Sequence, residues 1–219
     1  MKAFVITITD LEESVKCAQR CIESAYAKSN LKVEMFDAIT PQKEPRDIAK
    51  KKQMNLEGFK TDIGSRPENV ISAFLSHFSL WEMCAKGNEE FIIFEHDAVV
   101  INQIPMYAPY RGCLNIGAPS YGKFQQPFQM GVIPLISKRY FPGAHAYKLK
   151  PEAARVLVEH AKTNAQATDI FLNIHSFPWL EEYYPWCVVA KDTFTTIQNK
   201  TGCLAKHNYT EGKYKFVKV

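Results

Sequence analysis

Residues 91–100, Phe91-Ile92-Ile93-Phe94-Glu95-His96-Asp97-Ala98-Val99-Val100, constrain the fold more than any other stretch. The first four are an unbroken apolar run, too short for an independent helix and rich in β-formers, which suits a strand covered on both faces. Such a strand belongs at the centre of a sheet. At its end the polarity flips in one step to Glu95, His96 and Asp97, and in open α/β sheets ligands sit at the carboxyl ends of the strands. Carboxylates gathered there repel each other, and partial burial raises the cost of keeping both charged. A divalent cation removes the conflict. Oxygen ligands suit Mg²⁺ or Mn²⁺, ions that keep water and bridge to substrate phosphates, so one or two protein carboxylates suffice. The alternative is a solvated acid at a strand end, with a His capping a neighbouring loop.

The chain of 219 residues is long enough for one large domain, or two closely packed halves, with a sizeable core. Its 46% apolar and 23% charged residues are ordinary for a globular protein and argue against disorder. A formal charge of +4, spread evenly, argues against nucleic acid and is compatible with an anionic ligand. Met1-Lys2-Ala3 runs straight into an apolar strand, so no secretory signal is expected, and no stretch approaches the length of a membrane span. The cysteines Cys17, Cys21, Cys84, Cys113, Cys187 and Cys203 show no paired CxxC spacing. Cys17 and Cys21 share a helix face and could share a metal, but no second pair completes a zinc site. Free thiols in a reducing compartment are expected, the cytoplasm of a cell or infected host.

Ala3–Thr9 reads as the first strand; Asp10 with Glu13 offers an N-cap and capping box for a helix to about Lys28. A second strand over Lys32–Phe36, closing in Asp37-Ala38-Ile39, completes the opening of a parallel α/β sheet. Thr7 and Thr9 then lie near the same sheet edge as Glu95–Asp97, where a nucleotide could be held, although threonine also simply suits strands. Thr40–Ser65 fits a loop with a short helix; its basic cluster, Arg46 and Lys50–Lys52, suits a solvated face or an anion. Pro67 and Glu68 open a helix that is apolar on more than one side and ends at Gly87. Asn102–Pro142 is rich in proline, with short strands at Cys113–Ile116 and Met130–Ile136, and long loops of this kind form lids or binding walls. Its Tyr107, Tyr110, Tyr121, Phe124 and Phe128 offer faces for a sugar or base, or pack. Gly143–Leu149 reads as a strand, Pro151 opens a helix, Thr168–Leu172 sets Asp169 beside an apolar run, and Cys187–Ala190 reads as a last strand. Thr193–Gln198 and a polar, basic surface tail from Lys200 follow.

Three segments in this order resemble glycosyltransferase family 25, the lipooligosaccharide galactosyltransferases and their collagen galactosyltransferase relatives. Ala73-Phe74-Leu75-Ser76-His77-Phe78-Ser79-Leu80-Trp81 is similar to that family's Ser-His-x-x-x-Trp helix. Phe91–Val100 is similar to its apolar strand ending in Glu-Asp-Asp, and Gly143-Ala144-His145-Ala146-Tyr147 through Asp169 to its Gly-Thr-x-x-Tyr strand, Lys-x-x-Ala helix and Val-Asp. The resemblance implies one GT-A domain over 1–219, a mostly parallel twisted sheet flanked by helices. Residues 1–101 would be the nucleotide-sugar-binding half and 102–219 a smaller acceptor-binding half. It implies an inverting, metal-dependent hexosyltransferase in lipopolysaccharide biosynthesis, moving galactose or glucose from a UDP-linked donor with Mn²⁺ or Mg²⁺ to a glycan or other hydroxyl. The chain departs from the pattern at His96, which stands where a carboxylate is usual, and at Ala144, which stands for Thr.

On this reading Asp97 is the metal ligand, joined by His96 through its imidazole; His96 alternatively contacts the donor or merely replaces the lost acid. Glu95 orients ribose, strand or metal ligands, and Thr7, Thr9, Ser76, His77 and His145 are the remaining donor-site candidates. Transfer also needs a base for the acceptor hydroxyl. Asp169 is the first candidate, ahead of Glu181 and Glu182, against its reading as an N-cap or structural acid. His77 among apolar neighbours is otherwise a core histidine, and Trp81 a core residue. Two other classes stay open: a non-catalytic sugar-nucleotide or glycan-binding module, and a hydrolase whose His145, His175 and Asp169 bind metal without a fixed ligand spacing.

Overall fold

The computed structural model describes residues 1–59, 65–191, 194–198 and 215–217. Thr193, Cys203 and nearly all of the tail from Lys200 lie outside the described residues. The chain opens β1 (Lys2–Thr7), α1 (Glu12–Ser29), β2 (Glu34–Asp37), a 3-10 turn (Pro41–Lys43), α2 (Pro45–Lys51), α3 (Pro67–Lys86) and β3 (Phe91–Glu95). Then follow β4 (Ala98–Val100), β5 (Cys113–Asn115), β6 (Gly131–Pro134), β7 (Ala146–Leu149), α4 (Pro151–Asn164) and α5 (Thr168–Phe171). β8 (Glu181–Tyr184), β9 (Val188–Ala190), β10 (Phe194–Thr195) and β11 (Lys215–Phe216) complete the described chain, so Val188–Ala190 is not its last strand.

A seven-stranded sheet runs in the order β2-β1-β3-β7-β5-β8-β6. β1 is parallel to β2 and β3, and β5 to β8, whereas β7 is antiparallel to both its neighbours and β6 to β8. The sheet is therefore mixed, which corrects the expectation of a mostly parallel one. Helices link β1 to β2 and β2 to β3, and such crossovers return the chain in the same direction. From β3 to β7 the links carry no helix, and that restriction lapses.

Alternation along the strands sorts the core into two sets. Phe4, Ile6, Phe91, Ile93, Tyr147 and Leu149 face α3, α4 and α5, while Ala3, Val5, Ile92, Phe94 and Ala146 face α1 and the β4–β9 ribbon. This is why Phe91–Phe94 had to be apolar at every position: all four are buried, two on each face. Each such side chain contributes about 1.5–3 kcal/mol of burial. The apolar run ends where the face coverage ends. At His96 and Asp97 the chain turns out of the sheet, and Ala98–Val100 pairs with β9 in a separate ribbon.

Two local expectations are corrected. Leu11, not Asp10, is the N-cap of α1, with no side-chain cap, because Leu11 still holds extended backbone (φ −112°, ψ 109°) before the first helical residue; Ser14 Oγ accepts the Ile8 N–H at 2.9 Å and ties the helix to the end of β1. The segment from Gly143 becomes strand only at Ala146, since Gly143 (φ +103°) and Ala144 (φ 49°) adopt left-handed backbone. Asp169, set beside an apolar run in the sequence, lies on the short helix α5. Cys17, Cys21, Cys84, Cys113 and Cys187 are buried and form no disulfide among the described residues. No described helix is long and apolar enough to cross a membrane.

Candidate functional site

β2 and β3 lie on either side of β1, so the chain leaves the first strand in opposite directions, and the carboxyl ends of these strands open a crevice there. A cavity of about 760 Å³ fills it. Ile6 and Ile8 from the end of β1, Ala38–Pro41 after β2 and Glu95–Asp97 after β3 line one part. Ser76 and His77 of α3, His145, Asp169, Tyr121 and Tyr140 line others. Thr195–Gln198 of the carboxyl-terminal segment form a further wall. Arg66 holds that wall in place, donating its guanidinium to the carbonyls of Thr196 and Val217.

Glu95, His96, Asp97, Ser76, His77, His145 and Asp169 thus converge on one space, drawn from residues 76 to 169. Thr7, Thr9 and Glu181 do not line it. Thr7 is buried and returns its hydroxyl to the Val5 carbonyl. Thr9 Oγ1 donates to Asp37 at 2.6 Å, beside a Lys43–Asp37 ion pair that, with Thr9, holds Asp37 below its ordinary pKa. Glu181 accepts the Arg111 N–H, and Glu182, fully buried, accepts from Ile136 N, Ser137 N and Trp186 Nε1. The basic cluster also lies apart, with Arg46 paired to Glu68 and Lys52 to Glu82.

Each residue at the cavity has a specific support. Ser76 Oγ accepts the Ile39 N–H at 2.9 Å and donates to the Ser72 carbonyl, pinning the post-β2 loop to α3. His77 is buried between Tyr147, whose hydroxyl is 2.9 Å from Nδ1, and Glu95, whose Oε1 is 3.1 Å from Nε2. Burial pushes its pKa down to about 3, so the ring is neutral. His96 stacks on Phe194, centroids 5.1 Å apart, with Nδ1 3.0 Å from Ser14 Oγ. The Asp97 carbonyl accepts from Lys191 N and Arg20. His145 is buried; a Cβ at Gly117 would come within 2.6 Å of its Nε2, so both Gly117 and the left-handed Gly143 make room for the ring.

Asp169 accepts the Tyr121 hydroxyl on Oδ2 and the Ile170 N–H on Oδ1. Loss of water around the carboxyl raises its pKa above the ordinary 3.8, outweighing the Tyr121 hydrogen bond that lowers it. Lys138 donates to the Tyr121 carbonyl at 2.7 Å and lies 4.5 Å from that ring and 4.9 Å from the Tyr140 ring. Of the five aromatics named in the proline-rich segment, Tyr121 lines the cavity, whereas Tyr107 and Phe128 are exposed elsewhere. Ser14, Lys138 and Tyr140 were not anticipated; nothing in their local pattern marks them.

Among the described residues no three His, Cys, Asp or Glu side chains group to hold a metal. Asp97 and His96, both at the cavity, are too few to hold an ion by themselves; Mg²⁺ and Mn²⁺ keep water and take phosphate oxygens, so one or two protein ligands are compatible with such an ion. The hydrolase candidates are divided, His145 at the cavity and His175 outside its lining.

Residues 1–108 match the family described as glycosyltransferase family 25 (LPS biosynthesis protein). The chain is also similar to the lipooligosaccharide biosynthesis protein lic2B of Haemophilus influenzae, 31% identical over 80 residues. That stretch covers 36% of this chain and 28% of the relative's length.

Proposed function

We propose that this chain, which belongs through residues 1–108 to glycosyltransferase family 25, transfers a hexose from a UDP-linked donor to a hydroxyl acceptor with inversion. The observation carrying this reading is one cavity that holds Glu95-His96-Asp97 at the strand ends together with the raised-pKa carboxyl of Asp169. The order β2-β1-β3 at the crevice suits a GT-A arrangement, with residues 1–101 as the nucleotide half and 102–219 as the acceptor half. The family match and the lic2B relative support a place in lipopolysaccharide assembly.

Asp97, with His96, would hold Mn²⁺ or Mg²⁺, which when bound supplies positive charge beside the departing diphosphate. The chain's own residues do the rest. Asp169, ionised, accepts the proton of the attacking hydroxyl as the new C–O bond forms at the anomeric carbon. The bond to the diphosphate oxygen breaks, and its electron pair leaves with UDP. Tyr121 holds Asp169 by donating to one carboxyl oxygen and leaves the ion available as a base. Phe194 stacked on His96 and the Thr195–Gln198 wall would restrict the approach of water, which otherwise competes as acceptor.

The test is a thermal-shift panel of nucleotide sugars with and without Mn²⁺, because a ligand that binds only the folded state raises the melting temperature. A metal-dependent shift confined to UDP-hexoses is expected, and Asp97→Ala is expected to lose it together with at least about 100-fold of transfer. No shift with any nucleotide sugar would sink the reading. A shift without sugar release or transfer would leave a binding module of the same fold.

A further inference from the structure

The three segments that carry the family resemblance meet at one buried hydroxyl. Trp81 Nε1 donates to Tyr147 Oη at 2.7 Å, that oxygen lies 2.9 Å from His77 Nδ1, and His77 Nε2 lies 3.1 Å from Glu95 Oε1. His77 and Trp81 are one turn apart on the same face of α3, and Tyr147 sits on β7, the strand paired to β3 beside Glu95. Trp81, Tyr147 and His77 are at most 1% exposed. Phe74 and Phe171 close around Trp81, and Phe141 lies against Tyr147.

The protons along this chain have one arrangement. An indole N–H only donates, so Tyr147 accepts from Trp81. A carboxylate only accepts, so the neutral His77 carries its proton on Nε2 and donates it to Glu95. Nδ1 is then bare and takes the Tyr147 proton. Every donor meets an acceptor, and the direction runs from Trp81 to Glu95. The chain does not end in the core: Glu95 lies at the cavity, its side chain 30% exposed. If it served stability alone, an apolar cluster of the same shape would do as well.

We propose that Trp81, Tyr147 and His77 are positioning residues acting through Glu95, fixing its carboxylate as the acceptor for a pair of sugar hydroxyls on the bound nucleotide sugar. This rests on the transferase reading for its ligand and assigns His77 no direct donor contact. Hydroxyl groups donate hydrogen bonds to a carboxylate and an ionised phosphate has none to give, so the hydroxyl-bearing rings belong beside Glu95.

A double-mutant cycle on UDP-galactose and UDP-glucose binding tests it, with Tyr147→Phe, Glu95→Gln and the double variant measured by calorimetry in Mn²⁺. Tyr147→Phe removes one oxygen, and affinity is expected to fall about tenfold. Added to Glu95→Gln, it is expected to cost nothing more. Losses that multiply in the double variant would show that Tyr147 acts on the fold and not through Glu95, and overturn the assignment alone. Wild-type protein that binds neither sugar nucleotide would overturn the transferase reading and this ligand with it. Nitrogen NMR of wild-type His77 supplies a reading that needs no variant and no ligand: a neutral Nε2–H ring is expected at neutral pH, and an Nδ1–H or charged ring overturns the relay. If Tyr147→Phe fails to fold, Trp81→Phe enters the same cycle.

Discussion

Glu95 and Asp169 reach the same cavity, Glu95 from the end of β3 and Asp169 from α5, and their surroundings differ in kind. Glu95 takes its hydrogen bond from His77, a neutral ring fixed by Tyr147 and Trp81 on regular elements. Asp169 takes its bond from Tyr121 in the irregular proline-rich segment, with Lys138 behind that tyrosine. Packing between α3, β3 and β7 leaves Glu95 little freedom. The loop-built wall instead leaves Asp169 with a proton affinity raised by burial. One cavity can thereby hold a carboxylate suited to binding and another suited to taking a proton.

The sharpest way to break this comparison is Asp169→Asn, which keeps the shape and removes the base. Transfer is expected to fall by about 10²–10⁴-fold while sugar-nucleotide affinity stays within about threefold; retained turnover in a steady-state assay would remove Asp169 as the base.

The pH dependence sharpens the comparison next. A base must be ionised, so wild-type transfer is expected to decline as pH falls through the Asp169 pKa, which burial raises from its ordinary 3.8. The two groups also pull stability in opposite directions. Asp169, its folded pKa above the unfolded 3.8, contributes stability below that value and loses it as pH rises through the folded value. His77, lowered from 6.5 to about 3, contributes above 6.5 and loses it as pH falls toward 3. Melting curves from pH 4 to 8 are expected to rise more steeply with pH in Asp169→Asn than in wild type. Parallel curves would mean Asp169 is not buried as described.

A smaller effect is expected between the two walls. Gly143→Ala puts a Cβ on Ser120 Oγ and against His145 at a φ of +103°, at a cost of about 1–3 kcal/mol, read as a melting temperature lower by several degrees. The smallest is Lys43→Met, outside the cavity. Its exposed ion pair with Asp37 is worth no more than about 1 kcal/mol, and transfer is expected to stay at the wild-type rate. A large loss there would extend the site to the Thr9–Asp37 edge.

Much of the β1–β3 side of the cavity was legible from the residues in order. An apolar tetrad ending in Glu95-His96-Asp97 points to a central strand with polar groups at its carboxyl end, because four β-forming residues are too few for a helix and a strand covered on both faces is apolar at every position. The i, i+4 spacing of His77 and Trp81 likewise places both on one helix face. What the pattern could not give was their common partner: Tyr147 meets them only because β7 runs antiparallel beside β3, and strand direction after Val100 is set by packing rather than by any local signal. Burial is likewise a property of neighbours, so neither the neutrality of His77 nor the raised pKa of Asp169 is written beside either residue. Tyr121 and Lys138 came to Asp169 from loops, which carry no periodicity to read. Sequence by itself determined the α/β class, the central strand and the polar turn, since these follow from hydrophobic alternation and chain stereochemistry. Tertiary structure decided the mixed strand directions, the exclusion of Thr7, Thr9 and Glu181 from the cavity lining and the proton direction along Trp81, Tyr147, His77 and Glu95, since each depends on which distant groups share the same buried space.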